Sequence, residues 1–249
     1  MKRNPFASLL IRARPACLLA VLFAAAVPAG AAYPGFRSLF NGENLAGWKG
    51  NLTLWSVRDG AITGQTTLEK PAKGNTFLVW EGGDVKNFEL HARFRLLPNN
   101  DKKFANSGIQ YRSRIVDPAE WVVAGYQGDM DGDGKYIGML YEEKGRGIIA
   151  QPGQQVRVSN VDGKTKIDVT GVTTPADVLS AAIHPGEWNE YVIIAEGNHL
   201  QHFVNGKLTA DVTDLDEAHA AKSGVLALQL HVGLPMTVQF RDIQLKTLP

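Results

Sequence analysis

Cysteine is nearly absent. The 249 residues contain one, Cys17, so no disulfide framework can hold the chain. An excess of either charge is also lacking: 26 Lys and Arg face 25 Asp and Glu, a net charge of +1. That balance argues against a nucleic-acid partner and against a polybasic membrane surface. Helical periodicity is scarce, and there is no internal repeat or low-complexity linker. The chain has no His-rich metal spacing, no Gly-x-Ser-x-Gly elbow and no phosphate loop.

The apolar run Cys17 to Val27 is about 11 residues long, too short to cross a bilayer as a helix but sufficient for a signal-peptide core. Lys2, Arg3, Arg12 and Arg14 precede it, and Ala29-Gly30-Ala31 offers a small-x-small cleavage site. Residues 1–31 therefore read as a signal peptide. The expected protein is exported, periplasmic or secreted, with no membrane contact after processing. The remainder has 22 Lys and Arg against 25 Asp and Glu, a net charge of −3. A chain of that size can bury enough core without disulfides and suits one domain, residues 33–249.

β signals dominate that domain. Phe88, Leu90, Ala92 and Phe94 alternate with Glu89, His91, Arg93 and Arg95, as in a half-buried strand. Asp59-Gly60 and Asn205-Gly206 sit between strand-like runs, which is the pattern of tight hairpins. Residues 151–173 are polar and contain glycine, as in a hairpin off the body. Two short helices are expected. One has Thr174 as N-cap and Pro175 as its first residue; the other opens at Asp214–Glu217 and stops at Gly224. Many short strands with frequent turns predict an all-β sandwich or jelly roll.

Residues 106–146 carry the densest polar signal. In a first strand Ile109, Tyr111 and Ser113 take one face, and Gln110, Arg112 and Arg114 the other. In a second, Val122 to Met130, Gln127 and Asp129 lie opposite Tyr126. Paired in one sheet, Gln110, Arg112 and Gln127 would share a polar face. Asp129-x-Asp131-x-Asp133-Gly134 imitates half of a calcium loop, but Leu140 stands where the bidentate glutamate is needed. No metal ligand is assigned. Calcium of another coordination is the one cofactor that this cluster of carboxylates suggests.

Gly35-Phe-Arg-Ser-Leu-Phe-Asn-Gly-Glu-Asn-Leu-Ala-Gly-Trp48 resembles the opening of the 3-keto-disaccharide hydrolase domain. Asn106-Ser-Gly-Ile-Gln-Tyr-Arg, Gly125-Tyr-Gln, Gly138-Met-Leu-Tyr, Trp188-Asn-Glu-Tyr and Leu228-Gln-Leu-His-Val-Gly extend the resemblance over nearly all of residues 35–248. It implies a concanavalin A-like jelly-roll β-sandwich and cleavage of glycosides oxidised at C3. Many members carry Glu after the Gly-Tyr pair, where this chain has Gln127.

A ketone at C3 acidifies the C2 proton. Removing it gives an enolate, the glycosidic oxygen leaves from C1, and water completes a net hydrolysis. Such a site needs a base, a donor to the enolate oxygen and an acid for the leaving group. Arg112 is the candidate enolate donor and His231 the candidate proton carrier, with Glu89 as a third candidate catalytic residue. Gln110, Gln127, Asp129, Tyr141, Glu142 and Gln229 are candidates for orienting sugar hydroxyls. Trp121 is the first choice among the five tryptophans for stacking on a sugar face. The alternative is a lectin-like module that binds carbohydrate without cleaving it, because one sandwich hosts both functions.

Overall fold

A computed structural model describes residues 34–249. The expected signal peptide therefore lies outside the described residues. The chain forms β1 (Arg37–Ser38), β2 (Trp48–Lys49), β3 (Trp55–Arg58), β4 (Ala61–Gln65), β5 (Thr76–Trp80) and β6 (Phe88–Pro98). Next come β7 (Asn106–Asp117), β8 (Val122–Asp131), β9 (Leu140–Glu143), β10 (Gly147–Ala150), β11 (Gln154–Val161) and β12 (Lys164–Val172). After α1 (Ala176–Ala182), β13 (Asn189–Glu196), β14 (His199–Val204), β15 (Lys207–Asp214), β16 (Val225–Leu230) and β17 (Met236–Thr247) complete the chain.

Two sheets result. The larger has ten strands in the order β12-β11-β15-β14-β13-β6-β17-β4-β3, with β1 added beside β17. The smaller has seven, β10-β9-β8-β7-β16-β5-β2. They pack as a sandwich because alternate residues on each are apolar. Phe88, Leu90, Ala92 and Phe94 of β6 and Ile109, Tyr111, Tyr126, Leu228 and Leu230 of the smaller sheet meet in one buried core.

Both tight hairpins form as the local chemistry dictates. Asp59 and Gly60 have φ of 51° and 70°, and Asn205 and Gly206 have 46° and 74°, the paired left-handed conformations of a type I′ turn. Residues 151–173 do form a hairpin, β11 with β12. The helices differ from expectation. Pro175, not Thr174, occupies the N-cap position of α1, and no side chain caps it. No helix opens at Asp214, because that residue ends β15 and its carboxylate is bound by Arg146 and Tyr126.

The β7–β8 hairpin does more than join two strands. In the smaller sheet β8 and β5 are separated by β7 and β16, yet the Phe77 N–H donates to Trp121 O at 3.0 Å and Thr76 Oγ1 to Glu120 O at 3.1 Å. The hairpin tip therefore curls back across the outer face of its own sheet. Bulges permit the bend: Arg112, Trp121 and Gly125 have φ of 46°, 55° and 140°, and pairing shifts between Tyr111 and Arg114. Val123 and Trp121 then pack on Phe77, Val79 and Ala227, forming a small second core outside the sandwich.

Candidate functional site

Beside that second core, the outer face of the smaller sheet carries a polar floor. Register puts Gln110 opposite Gln127, and Gln127 opposite Tyr141, across β7, β8 and β9. Their side chains therefore share one face. Gly108 faces Asp129, and a Cβ on Gly108 would sit 2.5 Å from Gln127 side-chain atoms. The missing side chain is the space in which Gln127 lies. Gln127 meets Gln110 at 2.7 Å, donates to Asp129 Oδ1 at 2.9 Å and accepts from Gln229 Nε2 at 3.0 Å. All four residues are buried.

No cation pairs with Asp129 among the described residues. Burial pushes its carboxyl up to about 7, the nearby charges of Asp131 and Glu143 add to the rise, and the Gln127 bond opposes it. Tyr141 is raised by burial and by the charges of Glu143 and Asp129. Glu143 reaches across the face to Asn75, whose Nδ2 lies 3.4 Å from Glu143 Oε1. Asn75 also accepts from the Val232 N–H, next to His231. A cavity of about 680 Å³ opens beside Asn75, lined among others by Asn51, Lys70, Lys73, Thr76 and Glu120. The arrangement provides a base poised near neutrality, a phenol, an amide bed and adjoining space.

A family model described as the 3-keto-alpha-glucoside-1,2-lyase-like domain matches residues 35–246. The chain belongs to that family. Its members are carbohydrate-active, and the coarse function follows from membership. No curated protein matches this lyase-like chain in sequence. Among solved structures, a candidate glycosyl hydrolase from Parabacteroides distasonis is similar at 19% identity and a TM-score of 0.55, covering 87% of this chain and 95% of that one. Carbohydrate-binding module CBM66 from Bacillus subtilis is similar at 14% identity and 0.51, with 82% and 98% covered. A Bacillus subtilis protein of unknown function with a galectin-like fold is similar at 8% identity and 0.53, with 82% and 90% covered. At these identities the likeness concerns the sandwich fold alone.

The lyase-like domain brings together Gln110, Gln127, Asp129, Gln229 and Tyr141. It does not bring Arg112 to them. The bulge turns Arg112 away, and its guanidinium donates to Lys86 O and Gly197 O, both at 2.7 Å, and to Asn87 Oδ1 at 3.3 Å. Ser113 crosses the other way, and its Oγ lies 2.8 Å from the Gln110 side-chain amide. Glu89 stands on β6 of the opposite sheet, 2.8 Å from His91 Nε2. Glu142 pairs with Tyr126, on the inner face, and its carboxylate is held by Arg146 at 2.6 Å. Trp121 fastens the hairpin tip, and its ring packs on the second core instead of standing open.

His231 follows directly after β16, half-buried, with Nδ1 donating to Val232 O and its ring edge on Phe104. That bond leaves Nε2 as the nitrogen available for proton transfer. Asp131 spends its carboxylate on the N–H groups of Lys135 and Tyr136. The Asp129–Asp133 loop thus does not gather its acids as a calcium loop would, and no metal-binding group is found among the described residues. Sequence reasoning missed Asn75 and Glu143. Glu143 was detectable, since it alternates with Tyr141; Asn75 carried no signal.

Proposed function

We propose that this protein cleaves 3-keto-glucosides by C2 deprotonation and β-elimination, with Asp129 as the base. The observation that carries this reading is a buried carboxyl without a cationic partner among the described residues, held on a bed of amides by Gln127, where burial raises its pKa. The Asp129 carboxylate takes the C2 proton, and the C–H electron pair moves toward C3 and its oxygen. The Tyr141 hydroxyl, kept protonated by its raised pKa, donates to that developing oxyanion. The C1–O bond then breaks, and His231 supplies the proton to the departing oxygen. Water adds to the resulting enone at C1, so the net products are the 3-keto sugar and the free alcohol. Arg112 cannot hold the enolate, because its N–H groups are committed to protein acceptors. The cavity beside Asn75 has room for a leaving sugar.

Cleavage of a 3-keto-glucoside in D₂O tests the route. Elimination predicts solvent deuterium at C2 of the released sugar, and full retention of the original hydrogen refutes it. The Gln127 amide, where many relatives carry an acid, favours a second reading: carbohydrate binding without cleavage. A binding-only protein would retain affinity for ordinary glycans and leave the 3-keto substrate intact. We also place the protein outside the cytoplasm, with residues 1–31 removed as a signal peptide. Intact mass of the exported form should begin near Ala32 or Tyr33, and retention of Met1 would refute export by cleavage.

A further inference from the structure

The larger sheet is wider than the smaller one, and its edge strand β12 overhangs. The β12 strand pairs only with β11 among the described residues, so its outer edge presents unpaired N–H and C=O groups. Ten large apolar residues stand exposed among the described residues, and four of them belong to the β11–β12 hairpin: Val161, Ile167, Val169 and Val172. Ile167 lies opposite Val158, and Val169 opposite Val156. Val156 and Val158 belong to the buried core. Ile167 and Val169 therefore continue the core-facing side past the end of the smaller sheet, 39% and 58% exposed.

We propose that this edge is a homodimer interface, in which β12 pairs antiparallel with β12 of a second copy about a twofold axis at Ile167. The charge pattern selects both the occupant and the register. Lys166 and Asp168 flank Ile167 and share the face opposite to it. With the axis at Ile167, each Lys166 faces Asp168 of the other copy, and the two Ile167 side chains meet. Thr165 then faces Val169 of the other copy. Moving the axis to Lys166 sets two lysines face to face, and moving it to Asp168 sets two aspartates face to face. Only the Ile167 axis, of these three, combines opposite charges with no like pair.

The usual defence of an open edge is a free lysine. Here Lys166 is already tied to Asp168 of its own strand at 2.9 Å, so that charge is partly neutralised along the edge. Pairing continues the larger sheet across both copies and joins the two overhanging apolar strips into one. The bulge between Val169 and Gly171 confines straight pairing to Lys164–Val169 and its partner residues. The interface is short, so the dimer is expected to form reversibly with concentration.

Light scattering of the purified protein over a concentration series reads the association, and circular dichroism confirms that each variant is folded. The expected result is about twice the monomer mass at high concentration. Lys166→Asp and Asp168→Lys should each abolish dimerisation, and the double variant should restore it, because only the exchanged pair recovers the opposite charges. In an oxidising titration Ile167→Cys should crosslink two copies rapidly, while Val169→Cys should not. A monomer at every concentration overturns the proposal. So does a dimer that survives Lys166→Asp, or one that Val169→Cys crosslinks in preference to Ile167→Cys.

Discussion

Replacing Asp129 with asparagine should stabilise the protein at alkaline pH while removing its activity. The carboxyl is raised from 3.8 to about 7, chiefly by burial. At pH below 3.8 the group is protonated in both folded and unfolded chains and contributes no pH dependence. Between those values the unfolded chain releases the proton while the folded chain keeps it, so stability falls as pH rises. Above about 7 the full cost of burying the charge applies, roughly 4 kcal/mol at about 1.36 kcal/mol per pH unit. The substituted amide would be neutral at every pH and can still accept from Gln127. Asp129→Asn should therefore recover about 2–4 kcal/mol at pH 8 and little at pH 4. Urea unfolding of both proteins at several pH values measures this directly. Other titrating groups, such as His91 and His202, cancel in the difference between the two proteins. A difference that stays flat from pH 4 to pH 8 would refute the burial argument. Activity should drop about 10²–10⁴-fold in the same variant, the usual contribution of a general base.

Other residues give independent checks. Arg112→Ala should lower stability by about 3 kcal/mol through its lost charged hydrogen bonds, leaving kcat per folded molecule nearly unchanged; a large fall in kcat would return Arg112 to the chemistry. Arg146→Met removes the partner of buried Glu142 and Asp214 and should cost about 3–5 kcal/mol in denaturant titration. Gly108→Ala places a Cβ 2.5 Å from Gln127 side-chain atoms and should push that amide off Asp129; the acidic limb of the kcat/KM profile, where Asp129 must ionise, should then move to higher pH. His202, buried between Tyr111 and Tyr191, is lowered to about 4 by burial. The unfolded chain therefore gains a proton before the folded one, and stability should fall by roughly 3 kcal/mol as pH drops from 6.5 to about 4. His202→Gln should remove that acid-side loss, as midpoints at pH 7 and pH 4 would show.

Much of the sandwich was legible because its signals are local. The alternation of Phe88 to Arg95 and the turns at Asp59-Gly60 and Asn205-Gly206 need no knowledge of distant residues. The pairing of Gln110 with Gln127 was equally readable, since each sits in a clean two-residue period. What escaped depends on departures from that period. A left-handed residue at Arg112 rotates one side chain out of the floor and brings Ser113 in, and nothing in Gln-Tyr-Arg-Ser announces it. Tyr141 and Glu142 are adjacent, so a strand must send them to opposite faces, and Glu143 is the acid that accompanies Tyr141. Asn75 reaches the site through long-range topology, which no local pattern records.

The curled β7–β8 hairpin makes one stretch of chain both floor and awning. Gln110, Gln127 and Asp129 lie in its straight part, while Asp117 to Trp121 form the tip that hangs beside the entrance. The tip is held by two hydrogen bonds to β5 and by its own small apolar core, separate from the main one. Residues can thus be inserted or exchanged at the tip to widen or narrow the mouth while the polar floor keeps its register. The same junction is a natural place for the mouth to gape, since peeling the tip from Phe77 and Thr76 leaves the sandwich core untouched.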